Sequence, residues 1–255
     1  MNFVKDSVNQ QPIVDTVFTI VAKAKEAKEK YGADQVVDAT IGSLYNEEGQ
    51  LVALDSVFNS LKSLDNKVLA KYAASFTGNP TFRQKAYDWV LDDNSHLEHE
   101  VVATPGGTGA VAMTIQECLD EGQTVILPEI AWGSYALMAQ MHNLEIAKYS
   151  LFEGDHFNMA SFKETCLETM KKQNKLVIVI NDPCHNPTGY SLTHKEWDEV
   201  ITFLNECSKT HAVVLLNDIA YIDFSSRQKE AKTYFGQFDK ISDHVIVVVS
   251  FSLSK

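Results

Sequence analysis

Three polar clusters, each directly after an aliphatic run, carry the residue types that do chemistry in this chain. They are Asn181-Asp182-Pro183-Cys184-His185-Asn186-Pro187-Thr188-Gly189, Asn217-Asp218-Ile219-Ala220-Tyr221 and Ser250-Phe251-Ser252-Leu253-Ser254-Lys255. An amide, a carboxylate, a phenol, hydroxyls and a primary amine at three successive strand ends would meet in one crevice. A fourth segment, Thr104-Pro105-Gly106-Gly107-Thr108-Gly109-Ala110, reads as the opening of a helix, where free backbone N–H groups and the helix dipole can converge on a phosphate. It is neither a Walker A loop nor GxGxxG.

Two other constellations compete for attention. Ser252-Leu253-Ser254-Lys255 satisfies S-x-x-K, in which serine attacks and lysine assists, but that motif needs a helix to bring the two together and here it trails a strand pattern. His96-Leu97-Glu98-His99-Glu100 places two histidines three apart without a third ligand at a known metal spacing, so a solvated loop or helix end is the better reading.

The elements that must position these groups alternate. Val101–Thr104, Thr124–Leu127, Leu176–Ile180, Ala212–Leu216 and Val245–Val249 are short β-branched or aliphatic runs, which suit strands buried on both faces of a parallel sheet. Between them, Val111, Ile115 and Leu119 keep helical spacing, with Gly122 placed to end that helix. Thr193 with Glu196 forms a capping-box pattern ahead of Trp197, Val200, Ile201 and Leu204 on one helical face, and Ser161 with Glu164 repeats the pattern. The alternation predicts an α/β sheet with helices on both faces. The first forty or so residues are mostly helical in pattern and read as an arm or part of a second lobe.

Composition narrows the partners. A net charge of -12 argues against nucleic acid and anionic membranes, since both attract basic surfaces. Lys23, Lys25, Lys28 and Lys30 alternate with Glu26 and Glu29 as a solvated helix face does. The aliphatic runs are far too short to cross a bilayer, and Met1 to Gln10 has no apolar signal core. A cytoplasmic setting with Cys118, Cys166, Cys184 and Cys207 reduced, as core filler, is therefore expected.

The stretches HNPTG (185–189), D-x-A-Y (218–221) and S-x-S-K (252–255) occur in the order and spacing of the aspartate-aminotransferase-like, fold-type I pyridoxal-phosphate enzymes. The resemblance runs from about Tyr72 to Lys255, and the GGTGA loop is similar to that family's phosphate-binding turn. It implies a three-layer large domain with a mostly parallel sheet over residues 46–255, with residues 1–45 an N-terminal arm or part of a smaller domain. It implies pyridoxal 5'-phosphate, a homodimer, and amino transfer from an aromatic or dicarboxylic L-amino acid to a 2-oxo acid. By the same resemblance Lys255 would form the Schiff base and move the proton, and Asp218 would pair with the pyridine nitrogen. Tyr221 and Asn186 would bond the ring's phenolic oxygen, Trp132 would stack on the ring, and Gly107, Thr108 and Ser252 would hold the phosphate. Gly42, with Trp132 and Asn186, would face the substrate.

Two departures stand against the family pattern. The tyrosine that would reach a neighbouring subunit's phosphate belongs to Y-x4-G, whereas Tyr72 precedes Gly78 by one extra residue. The sequence stops at Lys255, while relatives continue into a segment that carries the phosphate and carboxylate arginines, so a fragment is expected. A non-catalytic domain of the same fold, and lyase or decarboxylase chemistry on the same cofactor, are the alternatives. Transaminase turnover separates the first from an enzyme.

Overall fold

The computed structural model describes residues 3, 16–40, 42–226 and 230–254. The chain divides into two compact units, one of residues Gln11–Ala73 and one of Ala74–Lys255 with Met1–Gln10.

The Gln11–Ala73 unit holds α1 (Thr16–Tyr31), α2 (Asp55–Lys62) and α3 (Asn66–Leu69). Lys28 reaches past the end of α1 to pair with Asp38 at 2.7 Å. The described residues here include many exposed apolar side chains, among them Leu54, Phe58, Leu61, Leu69 and Tyr72.

The larger unit begins with α4 (Pro80–Val90), whose N-cap Asn79 accepts the N–H groups of Thr81 and Phe82 while Pro80 occupies the first turn. After it come α5 (Gly106–Cys118), β1 (Thr124–Pro128), α6 (Ser134–Met141), β2 (Glu145–Tyr149) and a short hairpin, β3 (Phe152–Glu153) and β4 (His156–Phe157). Then follow α7 (Met159–Met170), β5 (Lys175–Asn181), α8 (His194–Ser208), β6 (Ala212–Asp218), two 3-10 helices (Ile222–Phe224 and Thr233–Lys240) and β7 (Val245–Ser250). The main sheet has the order β2-β1-β5-β6-β7, with every pairing parallel.

Alternation along the strands builds three layers. Leu176, Ile178, Ile180, Val213 and Leu215 pack with Phe162, Trp197, Val200 and Leu204 of α7 and α8. Val177, Val179, Val214 and Leu216 face the other way, onto Val111 and Ile115 of α5 and Tyr135 and Met138 of α6. Each fully buried aliphatic of this kind contributes roughly 1.5–3 kcal/mol against exposure.

Three local expectations need correction. Residues 101–104 form no strand, because the Ala103 N–H goes to the Thr77 carbonyl and the Val101 carbonyl to Arg83 rather than to a neighbouring strand. Asn158, not Ser161, caps α7: its side chain accepts the Ser161 N–H at 2.9 Å, while the Ser161 hydroxyl accepts the Ser150 N–H. Helix α5 ends at Cys118, and Gly122 lies beyond it in the turn into β1, at φ +80°. The Thr193–Glu196 capping box is present as read. Of the cysteines, Cys166 and Cys207 are core residues, whereas Cys118 and Cys184 are half-buried; all four are free thiols.

Candidate active site

Strands β5, β6 and β7 are in register, so Asn181 lies opposite Asp218 and Asp218 opposite Ser250 at the carboxyl edge of the sheet. All three are buried polar residues, and burial without partners would be costly. Asn181 answers with both ends of its amide: Nδ2 donates to the Asp218 carbonyl and Oδ1 accepts the Asn186 N–H, each at 2.7 Å. The Ser250 hydroxyl donates to the Gly107 carbonyl at 3.3 Å. On Asp218, Oδ1 accepts the Ala220 N–H at 3.0 Å and Oδ2 accepts the Tyr135 hydroxyl at 2.5 Å.

Tyr135 comes from the first turn of α6. Its N–H donates to the Trp132 carbonyl, and its ring meets the half-buried Trp132 edge-on, with centroids 5.4 Å apart at 86°. Burial, reinforced by the Asp218 charge, pushes the Tyr135 phenol well above the ordinary tyrosine range, so it remains a donor at neutral pH.

The loop after β5 is held from below. Asp182 accepts the Leu192 N–H at 2.6 Å and the Trp197 Nε1–H at 2.9 Å, while Asn217 bonds the Asp182 carbonyl and takes the Tyr234 hydroxyl at 2.7 Å. Burial outweighs those two donors and raises the Asp182 carboxyl to about 7. His185 is buried, with Nδ1 against the Thr188 hydroxyl at 2.9 Å, and burial lowers its pKa below the usual imidazole value. The Asp182–Pro183 and Asn186–Pro187 peptide bonds are both cis.

The fourth group is the start of α5. Gly106 sits at φ +67°, its N–H turned back to the Thr104 carbonyl, and the Gly109 N–H goes to the Pro105 carbonyl. The first-turn N–H groups of Gly107 and Thr108 are the ones aimed outward along the helix dipole. A Cβ on Gly107 would lie 3.4 Å from Ser252 Cβ and 3.5 Å from Ser250 Oγ, so the missing side chain opens a small cradle between the helix start and the loop after β7. Backbone donors, hydroxyls and a helix N-terminus are the donor set a phosphate monoester needs, and a carboxylate at the end of the neighbouring strand suits a protonated ring nitrogen.

The structure thus brings Gly107, Ser252 and Ser250 together, and joins Asp218, Asn186 and Trp132 through Asn181 and Tyr135. Tyr221 lies three residues past Asp218, half-buried, its ring against Phe224 at 5.7 Å. Gly42 and the exposed Tyr72 belong to the smaller unit, and Lys255 lies outside the described residues. Ser252–Ser254 follow β7 in a turn rather than a helix, with the two hydroxyls 2.7 Å apart, and the lysine of S-x-x-K lies outside the described residues. A groove of about 820 Å³ between β2 and α7 lies at the opposite, amino ends of the strands and includes none of these residues. Tyr135 and Asn181 are the two residues whose linking roles the sequence reading missed. Their signals are a lone phenol one turn after Trp132 in an apolar helix, and an amide closing an otherwise aliphatic strand.

The family profile described as "Aminotransferase class I and II" matches residues 34–255. An aromatic-amino-acid aminotransferase of Paracoccus denitrificans is 23% identical over 197 residues, covering 76% of this chain and 49% of that protein. A mitochondrial aspartate aminotransferase of Schizosaccharomyces pombe is 24% identical over 217 residues, covering 83% and 48%. The crystal structure of an aminotransferase from Anaerococcus prevotii superposes with a TM-score of 0.91 at 33% identity, covering 100% of this chain and 63% of that one. The chain spans about half the length of the curated relatives it matches.

Proposed function

Because this chain belongs to the aminotransferase class I and II family, we propose that it binds pyridoxal 5'-phosphate and moves an amino group from an aromatic or dicarboxylic L-amino acid to a 2-oxo acid. The observation that carries the reading is the row Asn181, Asp218, Ser250 at the sheet's carboxyl edge, with the α5 N-terminus against one end of it. The cofactor, when bound, supplies an aldehyde that condenses with amines and a heterocycle that withdraws electrons from the substrate's α-carbon.

The chain's own residues do the rest. Gly107, Thr108 and Ser252 bind the phosphate through N–H and O–H donors, and their position at a helix start favours the dianion. The Asp218 carboxylate holds a proton on the ring nitrogen, since a buried anion stabilises an adjacent cation. Asn186 and Tyr221 donate to the ring's phenolic oxygen, and Trp132 covers one ring face and excludes water from it. Lys255 Nζ holds the cofactor covalently and later takes the proton from the α-carbon; it is useful as a base only when its surroundings favour the neutral amine. Gly42, Trp132 and Asn186 complete the substrate side.

The same reading makes residues 46–255 the cofactor-binding domain and residues 1–45 an arm or part of a smaller domain. It also makes the working unit a cytoplasmic homodimer. The exposed Phe58, Leu61 and Leu69 support an interface on the smaller unit, and no helix among the described residues is long and apolar enough to cross a membrane.

The test is transaminase turnover by the purified protein with added pyridoxal 5'-phosphate. Amino transfer should require the cofactor and be abolished in Lys255→Ala, and borohydride should fix the cofactor on Lys255. Failure of the intact protein to take up the cofactor would overturn the reading.

A further inference from the structure

We propose that Tyr135 is a positioning residue for Asp218: its buried hydroxyl, 2.5 Å from Oδ2, locks the rotation of the carboxylate and keeps it ionised toward the ligand. The inference rests on Asp218 being the acidic partner of the cofactor's ring nitrogen, and adds the group that makes such a partner work.

A carboxylate as buried as Asp218 has lost its water, and desolvation alone favours the protonated acid. An acid that kept the shared proton would leave the ring nitrogen neutral and forfeit the electron withdrawal. Donors must therefore oppose that drift, and the described residues include two of them. The Ala220 N–H, at 3.0 Å, belongs to the same loop and moves with Asp218. The Tyr135 hydroxyl comes from α6, 83 residues away in the chain, and is the donor that ties the carboxylate to a separate, rigid element. An O–H···O⁻ contact of this length falls in the short, charge-assisted class.

Tyr135 is itself held in place. Only 1% of it is exposed, it packs edge-on against Trp132, and its N–H bonds the Trp132 carbonyl. The loop just before α6 and the first turn of that helix therefore present, side by side, the residue assigned to the ring face and the donor that orients the acid. Burial, then the charge of Asp218, raise the phenol well above its ordinary range, so this donor does not titrate away at working pH.

The experiment uses the full chain loaded with pyridoxal 5'-phosphate labelled with ¹⁵N in the ring, comparing the native protein with Tyr135→Phe, which keeps the ring packing and deletes only the hydroxyl. In the native protein the nitrogen resonance should lie at the protonated position. In Tyr135→Phe the cofactor should be retained, the resonance should move toward neutral pyridine, and kcat should fall about tenfold to a hundredfold, the size of one hydrogen bond to a charged group. KM should change less than about threefold, because the loss is felt in the transition state rather than in binding.

An unshifted resonance with kcat within about twofold of native overturns the proposal, even if the variant melts earlier. Should Tyr135→Phe fail to fold, 3-fluorotyrosine at position 135, a stronger donor of nearly the same shape, should raise the pH at which the resonance leaves the protonated position, and an unchanged transition is equally fatal. A native protein that takes up no cofactor defeats the functional reading itself; a native protein with a protonated nitrogen and an indifferent variant defeats only the role of Tyr135.

Discussion

Asp218 illustrates how much of a site is made before any ligand arrives. Its carbonyl is held by Asn181, one carboxylate oxygen by Ala220 and the other by Tyr135, which fixes the orientation of the carboxylate in advance. Replacing Asp218 by Asn keeps the shape but removes the charge. The variant should still be fixed to the cofactor by borohydride, while turnover falls about a hundredfold or more, the cost of losing one preorganised electrostatic contact. Steady-state kinetics beside a reduced-peptide mass spectrum checks both halves. At this scale Asp218, Asn186 and Trp132 were legible as residues at or just past strand ends, because their types stand out after aliphatic runs. Tyr135 was not, because a tyrosine in an apolar helix reads as packing until the strand that faces it is known.

The helix starts do two different jobs, and substitutions can tell them apart. At α5 the proposed job is binding. Gly107 has ordinary helical backbone, so Gly107→Ala should leave the cofactor-free protein as stable or about 0.5–1 kcal/mol more stable, by helix propensity. The added methyl nevertheless fills the gap toward Ser252 and Ser250, so affinity for pyridoxal 5'-phosphate should drop at least about tenfold, or roughly 1.4 kcal/mol. Fluorescence titration and a thermal melt of the same sample separate the effects. At α8 the start is structural: Thr193 accepts the Glu196 N–H, and Glu196 in return accepts the Thr193 N–H, the Phe157 N–H and the Tyr190 hydroxyl. Thr193→Ala should therefore cost about 1 kcal/mol in a urea melt, and Glu196→Ala more, because with the Thr193 hydroxyl it leaves four donors without their acceptor at once.

Taken whole, the molecule concentrates its buried polar residues at the carboxyl ends of its parallel strands, with apolar layers above and below. The order β2-β1-β5-β6-β7 sends the chain one way after β1 and the other way from β5 onward. The loops bearing Trp132 and Asn186 therefore diverge from a single switch point. Asp182, beneath that point, gives the fold a pH signature. Its carboxyl is raised from 3.8 to about 7 when folded, so between those values the native state holds a proton that the unfolded chain has released. Its contribution to stability accordingly declines as pH rises through that window and is flat above it. In Asp182→Asn both accepting oxygens can no longer serve Leu192 and Trp197, which lowers stability outright. The deficit in melting temperature relative to the native protein should be larger at pH 5 than at pH 8.

Periodicity and residue type sufficed for the layered α/β plan, four of the five main strands, the α8 capping box and the three strand-end clusters, because these depend on neighbours a few residues apart. Val101–Thr104 misled for the converse reason: β-branched residues favour an extended chain, but only a partner strand makes it a sheet member, and here the partners are Thr77 and Arg83. The α7 cap shows the same limit, since Ser161 was claimed by the distant Ser150 and left Asn158 to do the capping. What the fold alone decided is which groups meet. Tyr135 reaches Asp218 across 83 residues and Gly107 faces Ser252 across the sheet edge, because parallel strands place their carboxyl ends side by side whatever the length of chain between them.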